Sequence, residues 1–342
     1  MSSATEVNQS RRGALKCLAF GGVGTLFLLS GGVLAPLDLA MAASRKVAPS
    51  ANGIPLFLQV SDTHIGFNKE ANPDVAGTLK QTIDLVNAMP IKPALTIHTG
   101  DITHLSKPGE FDTAAQLLSG LNITELHTVP GEHDVTDGLG TEYFNRFGQA
   151  SANKGYYSFD HNGVHFIALV NVMNFKANGL GGFGADQLAW LEQDLEGRSS
   201  STPIVVFAHM PMWTIYEPWG WGTGDADQAV SYLRRFGSIT VLNGHIHQIV
   251  QKVEGNITFH TARSTAYPQP PAGNGPGAGT AQGSERPTPQ DAGRHQRQDS
   301  GASTFGHTHR YDARLSATPP APLDVPHART THAHENLRPQ LA

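Results

Sequence analysis

Cysteine is almost missing from this chain: Cys17 is the only one in 342 residues. An intrachain disulfide, a cysteine-rich structural metal centre and an iron–sulfur cluster each need two or more thiols, so all three are excluded. Charge is sparse as well, with 24 Lys and Arg against 29 Asp and Glu and a formal net charge of -5. Basic residues form no run longer than a pair, so the chain lacks the electrostatic footprint of a protein that binds a nucleic-acid duplex. What the chain does have is histidine, 17 in all and unevenly used.

The N-terminus has the composition of a targeting segment. Ser10-Arg11-Arg12-Gly13-Ala14-Leu15-Lys16 precedes an apolar, glycine-rich run from Leu18 to Leu37, and Ala40-Met41-Ala42 offers small residues for cleavage. The segment resembles a twin-arginine export signal and implies the twin-arginine machinery as a partner, with a periplasmic or secreted product. An uncleaved membrane anchor is the alternative, since a run of about 20 residues matches a bilayer span. Glycines, a proline and the cleavage-like site favour removal. Residues 1–44 are therefore assigned to the signal, and cleavage would remove Cys17 with it.

Ile54–Val60 is an apolar strand candidate ending at Ser61-Asp62. Val75, Leu79, Ile83, Val86 and Met89 then form a helical stripe over 74–89. Further strands are expected at Ala94–His98 and Glu125–Val129, with a helix at 110–120 between them. Tyr156–Phe159 and Val164–Val170 flank Asp160-His161-Asn162-Gly163, a hairpin signal. Helices at 184–195 and 225–236 alternate with strands at Ile204–Ala208, Ile239–Leu242 and Ile257–Thr261. Strands alternating with helices, with polar motifs at strand carboxyl ends, indicate an α/β fold that binds ligands at those ends. From Tyr267 onward there are eleven prolines and only five leucines or valines. Residues 267–342 are thus expected to be a low-complexity, disordered tail after a domain at 45–266, and a frameshift origin would explain its composition. Gly306-His307-Thr308-His309 lies in that tail with no apolar strand before it and is read as a decoy; His327–His334 is expected to hold no metal.

Five segments in the domain carry chemistry: Asp62-Thr63-His64, Gly100-Asp101, Gly131-Glu132-His133-Asp134, His209 and Gly244-His245-Ile246-His247. If the chain stays extended, Asp62 and His64 point to one side of it. Gly100 permits a close turn that leaves the Asp101 carboxylate over the sheet edge. Adjacent residues point apart, so Glu132 can bind metal while His133 faces substrate, with Asp134 placed to hydrogen-bond its imidazole. His209, His245 and His247 end buried-looking strands, where an imidazole needs a partner. Oxygen and imidazole donors in this mixture suit zinc, iron or manganese. Tyr156 and the tryptophan-rich stretch Trp213–Trp221 would either rim the substrate side or pack the edge of the sheets.

In its ordered set, Asp-x-His, Gly-Asp, Gly-x-His-Asp, a single His and Gly-His-x-His, the chain resembles the calcineurin-like metallophosphoesterase superfamily over about residues 54–262. The resemblance implies a four-layer αββα sandwich with two mixed β-sheets and a binuclear metal centre. It implies that Asp62, His64 and His247 hold one ion, that Asp101 bridges, that Glu132, His209 and His245 hold the second, and that His133 is catalytic. Glu132 stands where the family usually has asparagine; the added charge favours iron at one or both positions, with zinc or manganese as alternatives. The implied activity is hydrolysis of a small-molecule or lipid-linked phosphate mono- or diester by a metal-bound hydroxide. A metal-binding accessory protein of the same fold with little hydrolytic activity is the second reading.

Overall fold

The computed structural model describes residues 24–30, 33–38, 54–89, 92–123, 125–151, 154–173 and 179–274. All of them belong to one compact unit. Its eleven strands are β1 (Thr25–Ser30), β2 (Val33–Asp38), β3 (Ile54–Val60), β4 (Leu95–His98), β5 (Glu125–Thr128), β6 (Tyr157–His161), β7 (Val164–Ala168), β8 (Ile204–Phe207), β9 (Ile239–Asn243), β10 (Gln251–Glu254) and β11 (Ile257–Thr261). Among the described residues five α-helices accompany them: α1 (Val75–Asn87), α2 (Pro108–Leu118), α3 (Thr141–Phe147), α4 (Ala185–Leu195) and α5 (Ala226–Leu233).

The strands form two mixed sheets, in the orders β2-β1-β3-β4-β5 and β10-β11-β9-β8-β7-β6. Strands β3, β4 and β5 are parallel to one another, as are β7, β8, β9 and β11. Successive side chains of a strand face opposite ways, and in the middle of each sheet both faces are covered, which is why β8 is wholly apolar and β3, β7 and β9 are largely so. Phe57, Leu95, Ile97, Phe166, Val205, Phe207 and Leu242 fill the space between the sheets. Leu58 and Val60 face outward onto α1 and α2 through Leu79, Ile83, Phe111 and Ala114. Ile167, Val206 and Val241 face the other way onto α4 and α5. The result is the four-layer αββα sandwich. Between β6 and β7, Asn162 and Gly163 both have positive φ, 50° and 77°, which is the two-residue hairpin turn that the Asn-Gly pair favours.

Two segments depart from the expected plan. Residues 25–30 and 33–38, assigned to the export signal, form β1 and β2, which pair antiparallel, and β1 also pairs antiparallel with β3. Leu26 and Phe27 are both 1% exposed, and Phe27 stacks on Phe57 with ring centroids 4.7 Å apart. An apolar run of this length reads equally as a signal core and as a buried strand. No helix among the described residues is long and apolar enough to cross a membrane. Arg11, Arg12, Cys17, the cleavage motif at 40–42, the 306–309 repeat and His327–His334 lie outside the described residues.

The other departure is at the carboxyl end. The packed chain runs past 266 through Pro270, with Tyr267 only 6% exposed. Ser264 donates its hydroxyl to the Asp62 carbonyl (2.7 Å), and Thr265 N–H donates to the Ser61 carbonyl (3.2 Å). The short helix α3 and the strand β10 had no sequence expectation. Both are small, and β10 alternates exposed and half-buried residues on a sheet edge.

Candidate metal centre

The motif loops meet where β3, β4, β5, β8 and β9 end. They are not extended there. Asp62 (φ 53°), His64 (φ 42°), Asp101 (φ 53°), His245 (φ 69°) and His247 (φ 55°) all lie in the left-handed region. Five of the seven expected ligands thus hold a conformation that costs free energy for a residue with a Cβ, and such strain gathers at functional sites. The expectation of an extended Asp62-Thr63-His64 is therefore corrected: the two side chains converge through curled backbone. Close approach explains two of the motif glycines. A Cβ on Gly131 would collide with the Asp101 carboxylate and amide, and one on Gly244 would collide with Ser61 and Asp62.

Asp62, His64 and His247 bring ligand atoms within 4.8 Å of one another, and so do Glu132, His209 and His245. In the first trio His64 Nε2 and His247 Nε2 are 3.1 Å apart, and Asp62 Oδ1 is 3.3 Å from His247 Nε2. In the second, the Glu132 carboxylate lies 2.8 Å from His209 Nε2 and 2.9 Å from His245 Nδ1. Asp101 Oδ2 stands between them, 3.5 Å from His64 Nε2 and 3.4 Å from His209 Nε2. All seven expected ligands come together, and the single carboxylate that touches both trios is the one expected to bridge. Donors bonded to one ion at about 2.0–2.2 Å sit at such mutual separations.

The outer ring nitrogens fix the inner ones. His209 Nδ1 meets the Thr99 carbonyl at 2.7 Å and His247 Nδ1 meets the Tyr267 carbonyl at 2.7 Å. A carbonyl only accepts, so each Nδ1 carries a proton and Nε2 is the nitrogen turned inward. Burial would lower His209, but the charges of Asp101 and Glu132 raise it well above the ordinary imidazole value, so an ion bound there would displace its Nε2 proton. His64 Nδ1 faces His104 Nδ1 at 3.4 Å. Burial, aided by the neighbouring His247, His133 and His104, holds His64 well below the ordinary imidazole range and hence neutral, as a ligand must be. Around Glu132, burial would raise the carboxyl, but His245 and His209 outweigh it and hold it well below the usual range. With nitrogen and oxygen donors, a neutral His64 and Nε2 atoms turned inward, the residues fit two ions of the zinc, iron or manganese type.

His133 and Asp134 lie in a single 3₁₀ turn after β5. Asp134 does not orient His133, contrary to expectation. Its carboxylate accepts from the backbone of Ile102 (3.0 Å), Thr103 (2.8 Å) and Gly131 (3.0 Å), so it ties two site loops together. The partner of His133 Nδ1 is the His104 carbonyl at 2.7 Å, and the two imidazoles stack with centroids 4.9 Å apart. Burial would lower His133, but the charges of Asp101 and Glu132 raise it above the ordinary value.

Four supporting residues escaped the sequence reading: Thr99, His104 and Tyr267, described above, and His98. His98 is fully buried, and burial pushes its pKa down to about 3. As a neutral ring it accepts the Gly100 N–H at Nδ1 (3.2 Å) and donates from Nε2 to Thr63 Oγ1 (3.2 Å), joining two ligand loops. A histidine ending the short strand-like run Leu95-Thr96-Ile97 was its only signal. The aromatic stretch packs rather than rims: Trp219 and Trp221 are buried with Ile246, Trp213 lies on Phe259 and Tyr156 on Trp190.

The Tyr267 carbonyl makes truncation informative. Gln269 Nε2 also donates to the His245 carbonyl at 3.1 Å, and Gln248 Nε2 donates to the Pro270 carbonyl at 2.8 Å. Chain ended after Asn274 should keep full metal content. Ended after Ala266, it should lose about 10–100-fold in metal affinity, the usual effect of removing an outer partner of a ligating histidine. Metal titration of both truncations checks this, and equal affinities would remove the strap from the site.

The sequence was also compared with known proteins. A protein from Arcobacter nitrofigilis described as a probable glycerophosphodiester phosphodiesterase GpdQ is 25% identical over 228 residues, covering 62% of this chain and 79% of that protein. A glycerophosphodiester phosphodiesterase GpdQ from Enterobacter lignolyticus is 24% identical over 233 residues, covering 63% and 79%. A dimetal phosphatase from Danio rerio has the same fold with a TM-score of 0.53 at 15% identity, over 62% of this chain and 88% of that one. The family model for calcineurin-like phosphoesterases matches residues 55–249, the span that holds every site segment, and this chain belongs to that family.

Proposed function

We propose that the protein is an exported, metal-dependent phosphoesterase that hydrolyses a phosphate mono- or diester. The observation that carries this reading is the pair of ligand trios joined by Asp101, with His133 beside them but outside both. When bound, the two ions supply Lewis acidity to the phosphoryl oxygens and lower the pKa of a water at the site. The chain supplies the rest. The Thr99 and Tyr267 carbonyls keep His209 and His247 in the ligating tautomer. With its Nδ1 proton held by the His104 carbonyl, His133 presents its other nitrogen to the departing alkoxide and can hand it a proton. The relatives are named for glycerophosphodiesters, which supports a diester as first choice of substrate. Purified protein loaded in iron, zinc or manganese medium and assayed against mono- and diesters tests the reading; a full complement of metal without turnover of either would leave a binding protein instead.

Export rests on the paired arginines before the apolar run. Arg11→Lys together with Arg12→Lys should hold the protein in the cytoplasm. Unchanged fractionation of the double variant would sink the twin-arginine assignment. The β1–β2 hairpin makes the processing step a structural question too: mass analysis of exported protein tells whether residues 25–38 stay with the domain.

A further inference from the structure

Among the described residues only four large apolar side chains are well exposed: Leu105 (47%), Leu139 (71%), Ile249 (40%) and Val253 (71%). Three lie on loops that carry site residues. Leu105 follows His104, Leu139 lies five residues past Asp134, and Ile249 lies two past His247. A single exposed leucine means little. Leu105 and Leu139, however, come from two loops stitched together beside His133. Ser106 Oγ donates to the His133 carbonyl at 2.7 Å and accepts the Thr136 N–H at 3.0 Å, while Thr136 Oγ1 donates to the Leu105 carbonyl at 3.4 Å.

Neither leucine is left outside by slack chain. Leu105 N–H donates to Glu110 Oε2 at 2.7 Å. The Asp137 carboxylate accepts from the backbone of Leu139 (3.0 Å), Gly140 (2.6 Å) and Thr141 (3.1 Å), a tight turn with its amides satisfied and its leucine facing water. Apolar side chains held in water without release gain free energy from any apolar group that covers them. Their position decides which part of a substrate that is. His133 is the proton donor to the departing oxygen, so the loops flanking it border the leaving group.

We propose that Leu105 and Leu139 form a subsite for an apolar leaving alcohol, so that the preferred substrates are phosphoesters of alkyl-chain alcohols rather than of small polar ones. This rests on the phosphoesterase reading above. In the reaction, a water gives one proton to solvent and its hydroxide adds to phosphorus, the bond from phosphorus to the alkoxide oxygen breaks, and the alkoxide takes a proton from His133 to leave as the free alcohol; His133 then regains a proton from solvent. Such a substrate is the kind a lipid-cleaving or lipid-assembling reaction supplies.

The test uses full-length protein with its metals and two matched pairs below their micelle concentrations: methyl and octyl phosphate, and the methyl and octyl esters of glycerol phosphate. Release of methanol or octanol is measured. Each methylene fully removed from water is worth about fourfold in binding, so partial cover across seven should raise kcat/KM by roughly tenfold or more from methyl to octyl. Leu105→Ser with Leu139→Ser should collapse that ratio toward one, with the melting temperature unchanged because both side chains are exposed. Equal kcat/KM for methyl and octyl esters, or a preference that survives the double variant, would overturn the subsite and leave the phosphoesterase reading standing. No alcohol released from either pair by protein carrying its metals would overturn both.

Discussion

His133→Ala should lower turnover of alkyl phosphoesters by about 10²–10⁴, the range that a positioned general acid contributes. Metal content should stay the same. His133 holds its place by the bond from its own Nδ1 to the His104 carbonyl and by stacking on the His104 ring. Six ligands lie on other loops, and Glu132, on the same turn, is held by His209 and His245 rather than by the His133 ring. The loss should also depend on the leaving group. A nitrophenolate departs without a proton, so an aryl ester needs the acid less and should suffer a much smaller drop. An alkoxide cannot leave that way. A structural collapse would depress both substrates together, so the ratio between them isolates proton donation. Equal losses on alkyl and aryl esters, or no loss at all, would take His133 out of the chemistry.

Much of this centre was legible in the sequence because it is written in side chains at strand ends. Each of the strands Ile54–Val60, Leu95–His98, Ile204–Phe207 and Ile239–Asn243 is largely apolar, with Gln59, Thr96 and Thr240 as interior exceptions, and each leads into acid or imidazole. Buried sheets with covered faces produce that pattern, and ligands at strand carboxyl ends follow from it. What was illegible is mostly backbone. The carbonyls of Thr99, His104 and Tyr267 select ring tautomers, and any residue type has a carbonyl. Positive φ at Asp62, His64, Asp101, His245 and His247 was hidden for a related reason: non-glycine residues do not announce it, and only tertiary contacts hold it. Tyr267 was also misplaced by composition. It opens a proline-rich stretch, and the few residues that pack there, through Pro270, are too short a segment to show a period. The hairpin at 25–38 failed differently, since an apolar run beside glycines carries no mark that separates a signal core from a buried strand.

Glu132→Ala should reduce metal content from about two ions per chain toward one. Its carboxylate is the only acid between His209 and His245, with one oxygen 2.8 Å from His209 Nε2 and the other 2.9 Å from His245 Nδ1. Without it the second trio keeps two imidazoles and shares Asp101, too few donors to hold an ion firmly. The first trio, Asp62, His64 and His247, is untouched, so one ion should remain. Glu132→Asn separates the carboxylate's charge from its oxygen. An amide still offers an oxygen donor but no charge, so the second position should refill while its preference moves from iron toward zinc or manganese, because a hard, highly charged ion loses most when a full negative charge is withdrawn. Elemental analysis of wild type and both variants, loaded in one mixed-metal medium, reads count and identity together. Identical metals in identical amounts across all three would mean that Glu132 is not a ligand. Its pairing with His209 and His245 would then be an ion pair that shapes the substrate side, and the centre would rest on six protein ligands.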